Sequence, residues 1–112
     1  MQSSSSSVEK QLEILTKSLL RNQRDLGMYQ QEELQQCIRV DQMKSSGQDV
    51  HDINKQLEVL QETKQMIPLA QQRIQKCRLE LENFIENNRH SIEPNSSQLT
   101  KAVELIKECG EQ

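Results

Sequence analysis

Residues 50–88 read VHDINKQLEVLQETKQMIPLAQQRIQKCRLELENFIENN. A mostly apolar row recurs through this segment in steps of three and four: Val50, Ile53, Leu57, Leu60, Lys64, Ile67, Gln71, Ile74, Arg78, Leu81 and Ile85. Such spacing is typical of an amphipathic α-helix, so we predict a helix over about 50–88. Five further apolar residues beside the row (Val59, Met66, Ala70, Cys77 and Phe84) widen the stripe to about half the helix circumference, which suits contact with two neighbouring helices.

The flanking segments supply those neighbours. Apolar residues recur with similar spacing from Val8 to Met43, which predicts a first helix over about 8–44. Gly47 lies in the polar segment that follows, where a tight reversal is expected. After Pro94, a third apolar pattern predicts a short helix over about 96–109. The sequence therefore predicts an all-α, antiparallel three-helix bundle formed by one domain, 8–109.

Both ends of the chain are predicted to lie outside that domain. Residues 1–7 contain a serine tract that offers nothing to bury, so we expect a disordered tail there. Residues 110–112 form a short tail at the other end.

The middle helix contains the residues we expect to hold the bundle together. The expected core side chains are Leu57, Leu60, Ile67, Ile74 and Leu81. Pro68 cannot donate a hydrogen bond to the carbonyl of residue 64 and crowds that turn, so we expect it to kink the helix.

Two polar residues interrupt the apolar row near the expected kink. Lys64 and Gln71 either lay their stems along the edge of the core with their tips in water, or form part of a partner-contact surface.

Composition excludes several classes of protein. Only 3 Gly, 2 Pro and 2 aromatic residues occur among 112, which is too few for the turns of a sheet or a large aromatic core. The 14 Lys and Arg and 17 Asp and Glu are spread evenly, so a nucleic-acid surface is not expected. No apolar run approaches the ~20 residues of a membrane span. Without a signal peptide, and with an odd number of widely spaced cysteines, the protein is expected to be intracellular.

The chain also lacks the motifs of catalytic and metal sites. We find no Gly-rich phosphate loop, no H-E-x-x-H and no nucleophile elbow. Neither histidine stands at a metal-ligand spacing from a cysteine. We therefore assign no catalytic, cofactor-binding or metal-binding residue and expect a binding or structural protein rather than an enzyme.

Several short segments together form a more specific pattern. They are DVHDINKQ at 49–56, LEVLQETK at 57–64, MIP at 66–68, QQRI at 71–74, LELENFIEN at 79–87 and GMYQQE at 27–32. This pattern resembles the tubulin-binding cofactor A family, in which Y-D-I/L-K-K-Q is followed by E-x-L-x-E-[ST]-[KR] and then [ML]-[IL]-P. The chain departs from the family at His51, Asn54 and Leu69, where Tyr, Lys and Asp are usual, and at Asn22, where Leu is typical.

The resemblance implies a three-helix bundle that binds quasi-native β-tubulin after its release from the chaperonin and holds it before α/β heterodimer assembly. It implies a protein of the cytoplasm and cytoskeleton that hydrolyses no nucleotide and needs no cofactor. Other tubulin-folding cofactors are further partners that it allows, and a monomer is expected rather than a homodimer.

In the family, the partner contact is attributed to the helices. The outward positions that we expect to bind the partner are Lys55, Glu58, Gln61, Glu62, Gln65 and Arg73.

Taken alone, the heptad spacing also fits a coiled-coil adaptor or scaffold unrelated to tubulin. Pro68 argues against a continuous two-stranded coil, which tolerates a helix-interior proline poorly.

Overall fold

The computed structural model describes residues 2–110, with side chains from residue 7 onward. It contains three α-helices, α1 (Gln2–Ser45), α2 (Val50–Asn87) and α3 (Ser97–Gly110), with one turn of 3-10 helix at Arg89–Ser91. No strand occurs within the described residues, and none of the helices is long and apolar enough to cross a membrane. The predicted all-α fold with three helices is confirmed.

The helix ends follow the prediction to within a residue, except at the start of α1. That helix begins at Gln2 instead of about residue 8, so the serine tract continues it. Extending an existing helix needs no new nucleus, which is the costly step in helix formation. Gly110 is the last residue of α3, and the rest of the predicted 110–112 tail lies outside the described residues, as does Met1.

Contacts within the chain divide it into two compact units, and α1 and α2 contribute to both. The first unit comprises residues 2–23 and 72–110, and the second comprises Arg24–Gln71. The assignment of 8–109 to a single domain stays a prediction.

The first unit contains parts of all three helices and has a dense apolar core. Its largest fully buried side chains are Leu12, Leu19, Ile74, Leu81 and Cys109. Thr16 is buried with them, and its hydroxyl donates to the Leu12 carbonyl at 2.7 Å, so the one hydroxyl in this apolar cluster has a hydrogen-bond partner.

Polar contacts with α1 determine where α3 begins. The Ser96 hydroxyl oxygen accepts a hydrogen bond from the Leu99 N–H at 3.2 Å, which is the geometry of a helix N-cap. The same hydroxyl donates to the Glu9 carboxylate at 3.1 Å, and the Gln98 amide donates to the Glu13 carboxylate at 2.9 Å. The start of α3 is thereby tied to α1.

The second unit is a hairpin of α1 and α2 with a thin core. Its buried side chains are Leu26, Val40, Leu60, Thr63 and Ala70. Leu34 and Ile38 belong to the apolar spacing from Val8 to Met43 that predicted α1, yet both are exposed.

The reversal in this hairpin is built around Gly47. Its φ of +68° lies in the left-handed region, which glycine adopts without steric cost. The Gly47 N–H donates to the Lys44 carbonyl at 3.2 Å and the Gln48 N–H to the Met43 carbonyl at 3.0 Å. These two bonds form the Schellman motif that ends α1. Asp49 then caps α2, because its carboxylate accepts the N–H of the residue two positions on at 3.3 Å.

One predicted core residue of α2 is wrong: Leu57 is 37% exposed, whereas Gln56 is half-buried. Successive residues turn by about 100°, so Gln56 lies about 40° from the buried Leu60 around the helix and Leu57 about 60° away on the other side. The helix is rotated so that the Gln56 side faces α1.

The same rotation explains the polar residues that interrupted the apolar row. Lys64 and Gln71 lie exposed, whereas their neighbours Thr63 and Ala70 are buried. Burial of Thr63 is tolerated because its hydroxyl donates to the Val59 carbonyl at 3.2 Å. α2 continues through the exposed Pro68 as one helix, and the kink there stays a prediction.

Candidate functional site

The residues predicted to bind a partner all lie on the surface of α2. Lys55, Glu58, Gln61, Glu62 and Gln65 are exposed within the second unit, and Arg73 is exposed within the first. Apart from Gln61, the second-unit members follow steps of three and four residues, so they form a stripe along one outward face. Of the predicted core residues, Leu60, Ile74 and Leu81 are buried and Ile67 is half-buried.

A groove of about 430 Å³ lies beside this stripe, between α1 and α2 of the second unit. It is lined by Tyr29 and Glu32 from α1 and by Glu62, Thr63, Gln65, Met66 and Leu69 from α2. The stripe and the groove therefore share two residues, Glu62 and Gln65.

The lining of this groove, called here the hairpin groove, is amphipathic. Tyr29 and Met66 are half-buried and Thr63 is buried, so these residues form the floor. Glu32, Glu62 and Gln65 are exposed at the rim. An apolar floor with a few polar groups at its edge is the usual composition of a binding site.

Five lining residues were not among the predicted contact residues: Tyr29, Glu32, Thr63, Met66 and Leu69. Tyr29 and Glu32 lie in the 27–32 segment that carried part of the resemblance, which was a signal for them. Their position opposite α2 follows from the short reversal after α1, since a tight turn determines which residues of the two helices stand side by side. Lys55, Glu58 and Gln61 do not line the groove.

A polar cluster in the first unit accounts for the departure at Asn22. The Asn22 amide donates to the Ser18 carbonyl at 2.8 Å and to the Cys77 sulfur at 3.2 Å. The Ser18 hydroxyl lies 3.8 Å from the same sulfur. Asn22 is therefore a hydrogen-bonded residue of the interface between α1 and α2 in the first unit.

The three cysteines are free thiols. Burial raises the pKa of the Cys109 thiol, and the Glu108 carboxylate beside it acts in the same direction. Over residues 2–110, no three metal-ligating side chains come together.

Long helices whose outward faces carry both polar and apolar side chains, with an open groove in the second unit, are the architecture of a helical binding protein. The family model for tubulin binding cofactor A matches residues 7–106. The chain therefore belongs to the tubulin binding cofactor A family, as its sequence motifs indicated.

Curated relatives and solved structures agree with this membership. The chain is 34% identical over 80 residues to the tubulin-specific chaperone A of Homo sapiens, covering 71% of this chain and 74% of the relative. It is 33% identical over 99 residues to the Saccharomyces cerevisiae protein of the same name, covering 86% and 93%. A solved structure described as RBL2P, a β-tubulin binding post-chaperonin cofactor, is 30% identical with a TM-score of 0.75, covering 90% of this chain and 95% of that one.

Proposed function

We propose that this chain is a tubulin-folding cofactor whose partner is quasi-native β-tubulin released from the chaperonin and not yet paired with α-tubulin. The observation that carries the proposal is the family match over 7–106, together with relatives named for tubulin-specific chaperoning. The RBL2P structure, described as that of a β-tubulin binding post-chaperonin cofactor, supports β-tubulin as the partner and the post-chaperonin stage in particular.

The mode of action that we propose is binding without catalysis. The outward faces of α2 in the second unit present Lys55, Glu58 and Gln61, side chains suited to reversible polar contacts. Interfaces of this kind mask a partner without a large permanent apolar contact. We propose further that the chain acts as a monomer in the cytoplasm, near the cytoskeleton, and that other tubulin-folding cofactors are among its partners.

Size-exclusion chromatography with light scattering tests the proposal. The purified chain is mixed with β-tubulin freshly released from chaperonin, and the mass of every peak is measured. We expect one peak with the mass of a complex between this chain and β-tubulin that contains no α-tubulin. A different protein released from the same chaperonin serves as the control and should elute apart from the chain.

Two results would contradict the proposal. The first is separate elution of β-tubulin and the chain. The second is a stable dimer of the chain alone that ignores β-tubulin, which would favour the adaptor function. The family match does not favour that alternative.

A further inference from the structure

The hairpin groove has an acidic rim with no cation to balance it. Glu32 projects from α1 and Glu62 from α2, and both side chains are exposed. In the part of the chain that the structure describes, neither carboxylate forms an ion pair. No Lys or Arg stands three or four residues from either one along its helix, the spacing at which a helix neighbour would reach it.

A groove in the first unit shows that carboxylates without a neighbouring cation are not found at every groove of the surface. That groove, of about 450 Å³ between α1 and α3, includes Lys17 and Lys101 among its lining residues. Its Glu13 carboxylate lies 3.8 Å from the Lys17 ammonium. The first-unit groove therefore sets two lysines against its three glutamates, whereas the hairpin groove has two glutamates and no lysine or arginine in its lining.

The acidic rim favours a cationic group, and the floor of the hairpin groove favours apolar atoms in the same bound side chain. Tyr29 and Met66 are half-buried, and the apolar Leu69 at the edge is 45% exposed. A long side chain with an aliphatic stem and a charged head satisfies both the floor and the rim, because the stem covers apolar surface while the head reaches the carboxylates. The ring of Tyr29 is a further attraction for a cation.

We infer that the hairpin groove binds a lysine or arginine side chain of the tubulin partner, with its stem on Tyr29, Met66 and Leu69 and its cationic head between Glu32 and Glu62. This inference rests on the proposed function, because it specifies the chemistry of the partner segment. It also gives the predicted contact residue Glu62 a defined role, that of one half of a carboxylate pair.

Binding measurements on charge variants test the inference. The dissociation constant for chaperonin-released β-tubulin is measured at low and at physiological salt. Reversal of both rim charges, Glu32→Lys with Glu62→Lys, should weaken binding on the order of 100-fold, since each carboxylate then repels the partner cation. The neutral pair, Glu32→Gln with Glu62→Gln, should weaken binding about 10-fold and reduce its salt dependence.

A matched control separates the groove from the overall charge of the chain. Glu80→Lys with Glu93→Lys changes the net charge by the same amount at two exposed carboxylates outside the groove. We expect that control to bind within about 3-fold of the original chain, because Glu80 and Glu93 lie outside the groove and only the general charge of the chain changes. Circular dichroism melting shows whether each variant is folded; if the lysine pair unfolds, the glutamine pair decides the question.

The outcomes distinguish this inference from the proposed function. If the original chain binds β-tubulin and both groove variants bind as tightly as the control, the groove assignment is overturned and the proposed function stands. If the original chain does not bind β-tubulin at all, both are overturned. Selective loss of binding in the groove variants supports both.

Discussion

The two units of the chain bury their apolar side chains between different numbers of helices. In the first unit three helices enclose Leu12, Leu19 and Leu81, each with no exposed surface. In the second unit two helices leave Leu60 8% exposed and Leu34 62% exposed. Two helices can cover only one side of each other, so a hairpin exposes apolar area that a third helix would bury.

This difference supports the proposal that the partner binds the second unit. Seven large apolar side chains of the second unit are exposed: Met28, Leu34, Ile38, Val50, Leu57, Val59 and Leu69. In the first unit the exposed large apolar side chains are Ile14, Leu79 and Val103. The second unit thus combines a smaller core with more apolar surface, which is the balance expected of a region that binds.

Truncating one core leucine in each unit should produce the largest contrast. We expect Leu81→Ala to lower the free energy of unfolding by about 3–5 kcal/mol, because a fully enclosed site cannot collapse around the cavity. Leu60→Ala should cost about 2 kcal/mol, since a thin core relaxes more readily. Urea unfolding followed by circular dichroism measures both. Equal losses would show that the two cores are equally enclosed.

Removing the proline should strengthen the weaker unit. Pro68→Ala restores a donor to the Lys64 carbonyl and relieves crowding in α2, so we expect the free energy of unfolding to rise by about 1–3 kcal/mol. Pro68 is exposed, so little packing is lost. The control Gln61→Ala, at another exposed position of α2, should change stability by less than about 0.5 kcal/mol. A fall in stability for Pro68→Ala would mean that the native backbone requires proline there.

Replacing either of two glycines of the second unit by alanine should change the stability of the chain, but in opposite directions. Gly47→Ala should lower stability by about 1–2 kcal/mol, because φ is +68°. Gly27→Ala should raise it by about 0.5–1 kcal/mol, since Gly27 lies inside α1 and an added methyl group meets nothing within 4 Å beyond the adjacent residues and the local backbone of its own helix. Thermal melts of the two variants make the comparison. A stabilised Gly47→Ala would contradict the turn geometry.

The smallest effect is expected from pH, and only in the first unit. Burial raises the pKa of the Cys109 thiol above its ordinary value of 9.0, so the folded chain keeps that proton after the unfolded chain has released it. Stability from this group is complete below pH 9 and is lost as pH rises towards the folded-state pKa. Urea midpoints measured from pH 8 upward should fall less in Cys109→Ala than in the original chain. The control Cys37→Ala, in the second unit, should show the same fall in urea midpoint with pH as the original chain.

The helices could be predicted from the sequence because a repeat of three and four residues is a local property. The reversal at Gly47 was predictable for the same reason, since a left-handed residue is a local requirement. Both features depend on neighbours in the chain and need no knowledge of the partner helix.

The rotation of α2 was harder to predict than its existence. Hydrophobicity favours Leu57 over Thr63 as a core residue, yet Thr63 is buried and Leu57 is 37% exposed. Thr63 avoids the usual penalty because the Val59 carbonyl accepts its proton, a backbone contact that no hydrophobicity scale includes. The hairpin groove depends on which residues of α1 stand opposite α2, so only its α2 members Glu62 and Gln65 were among the predicted contacts.

The hydrogen bond between Asn22 and Cys77 has a consequence for how the helices align during folding. Two helices with heptad-like patterns can slide by seven residues and still match apolar positions. Such a slip would bring Ala70 or Phe84 to the place of Cys77. Neither side chain carries a hydrogen-bond acceptor for the second amide proton of Asn22, so the slipped alignments would lose this hydrogen bond between the helices. A single asparagine thus makes the slipped alignments less stable than the native one.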